Sequence, residues 1–295
     1  MFGRLLTAMV TPFDADLRLD VRRVPALVDH LVETGTTAIV VCGTTGEWPT
    51  LTPVERIQLF EATVAAANSR VPVLAGTGLF STADTVTFTR EVSAVGVDGF
   101  SVVTPYYNKP SQDGLFRHYA RVAEATDKPI LVYNIPSRTG VNIGYRTMAR
   151  IAEIENVVGV KEASGDLTQI AWILREAPPG FLVYSGDDKY ALPVMAIGGE
   201  GVVSVAAHVV GGSLRRLIEA AAAADFETAR AEHLRLLPLF EELFKTTNPV
   251  LVKAALAMIG LPVGGVREPL VEATAAEKRE LRRVLGSVVK LPAVH

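Results

Sequence analysis

Val157-Val158-Gly159-Val160-Lys161-Glu162-Ala163-Ser164-Gly165-Asp166 is a short apolar run that stops abruptly on a charged amine. A turn of small residues follows, then a helix start. A Val-rich run of this length, bounded by turn residues, suits a strand buried on both faces. Such strands belong to parallel sheets with helices packed over them. A lysine closing the strand is an odd choice for packing, because an ammonium is costly to bury unless it is paired or gives up its proton. A buried amine that has lost its proton attacks carbonyl carbon. The alternative is a structural lysine whose stem lies along the strand and whose head reaches water or a carboxylate such as Glu162.

The same strand–turn–helix unit repeats on both sides. Apolar runs over Arg4–Val10, Ala38–Val41, Val71–Ala75, Gly99–Val103, Pro129–Val132, Val157–Val160, Phe181–Tyr184 and Gly201–Val205 read as strands. Helices are predicted between them. Asp20 caps one that runs to Thr34, with Val24, Leu27, Val28 and Leu31 on one face, stopped at Gly35. Thr52-Pro53-Val54-Glu55 has Pro at the first helical position and an acid two further on, a capping-box pattern. Others run from Ser81 or Thr82 to Val95, from Ser111 to about Thr126, between Gly144 and Ala152, and from Leu167 to Glu176. A short apolar helix reaches about Ile197. Beyond the eighth strand only helices are read, over Leu214–Ala223, Phe226–Phe244, Val250–Met258 and Ala275–Val289. This order predicts an α/β protein, a (β/α)8 TIM barrel with a C-terminal helical extension. A doubly wound sheet would carry a Gly-rich phosphate loop after its first strand, where this chain has Thr11-Pro12-Phe13-Asp14. The expected division is a barrel over residues 1–223 and a helical domain over 224–295 packed on it.

The totals fit that size. The chain has 295 residues, 49% of them hydrophobic, enough for a sizeable core. A formal net charge of −3 and a pI near 6.0 argue against nucleic acid or an anionic membrane as partner. Cys42 is the sole cysteine, so no intrachain disulfide and no cysteine-based metal site can form. No stretch is apolar for long enough to span a membrane, and Met1–Val10 is too short for a signal segment. A cytoplasmic globular protein is expected.

In a barrel of this kind the C-terminal ends of the strands share one face. That face collects Thr44 and Thr45, Tyr106 and Tyr107, Tyr133 and Arg138, Lys161, Asp187 and Asp188, and Ser204. An amine, phenols, hydroxyls and a guanidinium suit carbonyl chemistry through an imine. The lysine forms the imine, a tyrosine moves protons, threonine hydroxyls and backbone N–H groups bind a carboxylate, and the arginine clamps a second anion. Metal-dependent chemistry fits poorly, since His30, His118, His208, His233 and His295 show no HxH or HExxH pairing. Each residue also has a bland reading: turn chemistry for Thr44-Thr45, core for Tyr133, an interface for Tyr106-Tyr107, a surface charge for Arg138, a helix cap for Asp187-Asp188. Cys42 reads as buried and inert.

At these residues the chain resembles the pyruvate-dependent class I aldolases, the dihydrodipicolinate synthase and N-acetylneuraminate lyase group, over residues 1 to about 290. Gly43-Thr44-Thr45-Gly46-Glu47 is similar to the family's carboxylate-binding loop. Tyr133-Asn134-Ile135-Pro136-Ser137-Arg138-Thr139-Gly140 is similar to its YNxPxRTG segment. Gly159-Val160-Lys161-Glu162-Ala163-Ser164-Gly165-Asp166 is similar to its Schiff-base motif. Ser185-Gly186-Asp187-Asp188 and Gly201-Val202-Val203-Ser204-Val205 match two further strand ends. The resemblance implies catalysis by Lys161, Tyr133, Thr44 and Tyr107, the last reaching a neighbour's site across a tight dimer. It implies substrate binding by Thr45, Arg138, the backbone of Val203, and Gly186. Arg138 points to the synthase branch, with pyruvate condensed onto L-aspartate 4-semialdehyde in lysine and diaminopimelate biosynthesis. No metal or organic cofactor is implied, only the covalent imine between Lys161 and pyruvate. A homotetramer built as a dimer of dimers is implied, with no nucleic-acid or membrane partner. Rivals are a related aldolase acting on a sialic acid, a 2-keto-3-deoxy sugar acid or 4-hydroxy-2-oxoglutarate, and a non-catalytic keto-acid-binding barrel.

Lysine-inhibited synthases resemble one another at the dimer interface, with small or polar residues where this chain has Trp48, Pro53, Arg56 and Phe80. Asp84 is also shorter than the usual glutamate there. Free L-lysine is therefore predicted to inhibit weakly or not at all. A dose–response assay giving half-inhibition below about 1 mM, a binding free energy of about −4 kcal/mol, would contradict this.

Overall fold

Strand formation follows the Val-, Ile- and Leu-rich runs. The computed structural model describes residues 1–292, so the last three residues of the expected C-terminal unit lie outside the described residues. The strands are β1 (Leu5–Ala8), β2 (Ala38–Val41), β3 (Val73–Gly76), β4 (Gly99–Val103), β5 (Ile130–Asn134), β6 (Val157–Glu162), β7 (Leu182–Ser185) and β8 (Gly201–Ser204). They pair in sequence order, all parallel, and β8 closes onto β1 through Leu6 opposite Val203. The architecture is the (β/α)8 barrel read from the sequence, with helices outside.

Alternation along each strand splits the core in two. Leu6, Ala8, Ala38, Val40, Leu74, Leu131, Tyr184 and Val203 fill the barrel. Their strand neighbours Ile39, Val41, Phe100, Val132, Val160 and Val202 face the helices. Leu236, Leu239, Phe240, Leu251, Leu256, Leu281 and Leu285, from the C-terminal helices, join that outer cluster without a break. Each fully buried Leu or Phe contributes roughly 1.5–3 kcal/mol, which fixes these helices against the barrel.

Helix starts follow the capping residues. Asp20 receives the N–H of Arg22, Ser81 that of Asp84, Ser111 that of Gly114 and Asp166 that of Gln169. Thr52 and Thr274 each form a complete capping box, with Glu55 and Glu277.

Three differences from the sequence reading matter. β6 continues to Glu162, so Lys161 is its penultimate residue. The helix after β8 begins at Ala207 rather than Leu214 and bends at Val210 (φ −131°, ψ 29°). Residues Ala207–Gly211 are buried on every side, so they carry no amphipathic period to read. Pro136–Thr139, read as loop, is one helical turn.

Candidate active site

Registry places the chemistry. Tyr133 on β5 lies opposite Lys161 on β6, which lies opposite Tyr184 on β7. Paired residues of adjacent parallel strands share a face, so all three point into the barrel. The Lys161 ammonium lies 4.1 Å from the centre of the Tyr133 ring. Lys161 is 5% exposed and Tyr133 6%. The Tyr133 hydroxyl reaches Thr44 Oγ1 at 3.4 Å, a long hydrogen bond. Among the described residues the lysine ion pairs are those of Lys189, Lys245, Lys253 and Lys278, so no carboxylate neutralises Lys161.

The structural alternative for that lysine, a pair with Glu162, fails for a geometric reason. Glu162 is the next residue and points to the opposite face of the sheet. Its carboxylate accepts from Asn134 Nδ2 at 3.2 and 2.9 Å, from the Ser164 N–H at 2.8 Å and from Gln169 Nε2 at 3.3 Å. Asn134 also donates to Asn142 at 2.8 Å, and its own oxygen accepts the Ile143 N–H at 3.1 Å. A buried amide–carboxylate cluster thus braces the backbone just after Tyr133 and just after Lys161. Burial raises the Glu162 pKa, and the bonds from Asn134, Ser164 and Gln169 oppose that.

The loop after β2 is held in an uncommon shape. Cys42 (φ 55°) and Glu47 (φ 52°) are both left-handed and enclose a single turn, Thr44–Gly46. Such conformations cost about 1–3 kcal/mol each and gather at functional sites. The first internal bond of the turn runs from the Gly46 N–H to the Gly43 carbonyl, 3.0 Å. The N–H groups of Thr44 and Thr45 precede that bond, the position from which a turn binds an anion. The hydroxyl of Thr11 donates to the Gly46 carbonyl at 2.6 Å. Thr45 Oγ1 accepts from Asn248 Nδ2 at 2.9 Å. Cys42 is buried, and burial pushes its thiol up to about 12, in line with an inert residue.

A cavity of about 630 Å³ opens beside this loop, lined by Thr44, Tyr106, Arg138, Thr139 and Asn248 among others. Arg138 is exposed at the end of the Pro136–Thr139 turn and faces this cavity. Thr44 joins the two regions, since it lines the cavity and also bonds Tyr133. Gly186 sits where a Cβ would come within 2.5 Å of the Ala163 Cβ, so a side chain there would push on the segment after Lys161. Val203 is buried inside the barrel. Tyr106 packs edge-on against Trp48 and Phe80, with ring centres 5.6 and 5.5 Å away. Tyr107 is left-handed (φ 70°) and 91% exposed, so within one chain it does not join Thr44 and Tyr133.

Asp187 accepts the Lys189 N–H, the cap read from the sequence. Asp188 does something else. It accepts from Ser204 Oγ at 2.5 Å and from the Val205 and Ala206 N–H groups at 3.0 and 2.9 Å, fixing the turn after β8. Burial lifts its carboxyl to about 6. His208 accepts the Val10 N–H at 3.2 Å and donates from Nδ1 to the Val205 carbonyl at 2.8 Å, joining the ends of β1 and β8. Burial holds its pKa down near 4, so it is a neutral strut.

Two lysines are buried among the described residues, Lys161 and Lys253. Lys253 is lowered to about 8 by burial, against the pull of Glu47. Its amine is nonetheless committed to Glu47 and to the Gly265 carbonyl. Lys161 is the one whose amine faces a phenol and has no carboxylate partner. Sequence reasoning named Glu162 only as a partner for Lys161 and gave no role to Asn134, Asn248 or Lys253. The signals were a second charge directly after Lys161 and a lone charge in the apolar helix Val250–Met258.

The Dihydrodipicolinate synthetase family matches residues 1–288. The 4-hydroxy-tetrahydrodipicolinate synthase of Moorella thermoacetica is 53% identical over 284 residues, covering 96% of this chain and 97% of that protein. A dihydrodipicolinate synthase crystal structure from Bacillus anthracis superposes with a TM-score of 0.96 at 44% identity, covering 98% of this chain and 99% of the other. One from Cyanidioschyzon merolae, solved with lysine bound, gives 0.94 at 43% identity, covering 97% and 98%. The shared architecture is a closed parallel barrel with a lysine buried near the C-terminal end of its sixth strand. This chain belongs to the dihydrodipicolinate synthetase family.

The raised Glu162 pKa sets a sign for stability. The folded state holds that proton more tightly than the unfolded chain, so the contribution is full below about 4.5 and is lost as pH rises through the folded value. Urea unfolding of wild type and Glu162→Gln across that window should show wild type losing stability relative to the variant as pH increases. Parallel pH profiles for the two proteins would contradict this.

Proposed function

We propose that this chain is a 4-hydroxy-tetrahydrodipicolinate synthase, a class I lyase that condenses pyruvate with L-aspartate 4-semialdehyde. The observation that carries the reading is the unpaired amine of Lys161 against Tyr133, itself in line with Thr44 of the carboxylate loop. Lys161 attacks C2 of pyruvate and water leaves, giving the imine. Tyr133 receives and returns the protons, through Thr44 and the Tyr107 of a second copy. The N–H groups of Thr44 and Thr45, the Thr45 hydroxyl and the Val203 backbone hold the keto acid, and Gly186 leaves it room. Loss of a C3 proton gives an enamine that adds to the aldehyde of the acceptor. Arg138 grips the acceptor's carboxylate. The acceptor's amine then attacks the imine carbon, closing the ring and freeing Lys161. The protein's share is placement and proton transfer; the reaction needs no metal and no organic cofactor.

The exposed Tyr107 and the aromatic cluster of Trp48, Tyr106 and the half-exposed Phe80 support assembly with a second copy. The proposed assembly is a homotetramer formed from two dimers. Residues 1–223 form the catalytic barrel in this reading, and the helices from 224 onward brace its mouth. Among the described residues no helix is long and apolar enough to cross a membrane, and a cytoplasmic location is proposed. Arg56, buried with its guanidinium between Trp48 and Phe88, occupies the same cavity wall with a positive charge, which supports weak lysine binding.

An assay with pyruvate and L-aspartate 4-semialdehyde tests the assignment. Wild type should turn both over. Arg138→Ala should raise the KM for the semialdehyde at least about tenfold, equivalent to about 1.4 kcal/mol, while borohydride still traps pyruvate. Unchanged turnover in Arg138→Ala would remove the synthase assignment even with the imine intact.

A further inference from the structure

The strongest unexplained feature is a buried ion pair outside the imine site. Glu47 closes the carboxylate loop directly after Thr44-Thr45-Gly46 and is buried in a left-handed conformation. A glutamate has no intrinsic reason to stay there, and the strain persists only where surroundings over-determine it. Those surroundings come from the far end of the chain. Glu47 Oε1 pairs with Lys253 Nζ at 2.5 Å, where both side chains are almost fully buried. Glu47 Oε2 accepts the Arg267 N–H at 2.9 Å. The Lys253 amine also donates to the Gly265 carbonyl at 2.7 Å and sits 4.1 Å from the centre of the Phe13 ring. One residue before the turn closes, Thr45 is held by Asn248, so two of the loop's three polar side chains are gripped from the far end of the chain.

We infer that Lys253 is a positioning residue for the keto-acid carboxylate, acting through Glu47 to hold the Thr44-Thr45 loop in its binding shape. A buried ion pair is weak evidence for stability, since well-packed apolar side chains of similar volume often serve as well or better. What such a pair does supply is a fixed geometry. Here it fixes the residue that follows the two N–H groups aimed at the substrate. The remaining charged group nearby is the Arg267 guanidinium, which lies over the Phe13 ring at 4.5 Å and is neutralised by Glu55 at 2.5 Å. Arg267 is therefore already spoken for, and Lys253 is the only cation whose ammonium reaches Glu47 among the described residues. Loss of the Lys253 charge would leave the Glu47 carboxylate buried with a single N–H donor. The side chain would then turn towards water and take the loop with it.

The inference rests on the proposed imine chemistry, and its test separates the two. Borohydride trapping is run with pyruvate alone, recording the pyruvate concentration that gives half-maximal labelling and the maximal extent. Lys253→Met should raise the half-saturating concentration at least about tenfold and leave the maximal extent unchanged. The Glu47→Leu/Lys253→Met double variant carries no orphaned charge, and it should show the same rise even where the single variant folds poorly. A merely structural role would lower the melting temperature of the single variant and leave half-saturation within about twofold of wild type, which would overturn the inference. A fall in maximal labelling at unchanged half-saturation would overturn it too, by placing Lys253 in the bond-forming step. Failure of wild type itself to be labelled would instead refute the imine reading.

Discussion

The parallel register of β5 with β6 sets Tyr133 against Lys161 and, one residue on, Asn134 against Glu162. Because side chains alternate, the first pair points into the barrel and the second into the helical layer. A slip by one residue would exchange them, placing a carboxylate in the barrel and burying an ammonium among apolar helices. The cost of burying those two charges without partners opposes that slip, because the fill on both faces is otherwise apolar. Val132 and Val160 face the helices, and Leu131 faces the interior. The packing that makes the barrel therefore also aims the amine. The hydrogen-bonded cluster of Asn134, Glu162, Asn142 and Gln169 then locks the chain just past Tyr133 and Lys161.

The second half of the site depends on contacts of very different range. The loop after β2 is short, strained at Cys42 and Glu47, and not self-supporting. It is completed from behind by Thr11 of the β1 end and from the side by Asn248, Lys253 and Arg267. The C-terminal helices bury their leucines in the same core as the barrel helices, which gives these three residues a rigid base. Strain in the loop and rigidity in the extension are thus two sides of one arrangement.

Much of this was legible in the sequence, and the limits have physical causes. Each β-then-α unit is local, so apolar runs and capping residues such as Thr52 and Asp166 marked the elements directly. Lys161 was visible because a charge ending a valine strand contradicts its surroundings. The start of the helix at Ala207 was invisible because residues buried all round show no helical period. The Pro136–Thr139 turn was too short to leave one. The role of Glu162 needed the strand to extend through it, since only then does alternation send it away from Lys161. The contacts of Thr45 with Asn248 and of Glu47 with Lys253 join opposite ends of the chain, and no local pattern encodes them. Tyr107 faces outward from a single chain, so neither the sequence pattern nor the fold of one chain shows what it contacts.

A crystal structure of the protein soaked in pyruvate tests the central claim most directly, because it reports which lysine reacts and where the carboxylate rests. The account predicts continuous density from Lys161 Nζ to C2 of the keto acid, with the carboxylate on the Thr44 and Thr45 N–H groups and Lys253 still paired with Glu47. A keto acid bound without a bond to Lys161, or joined instead to Lys253, would contradict it.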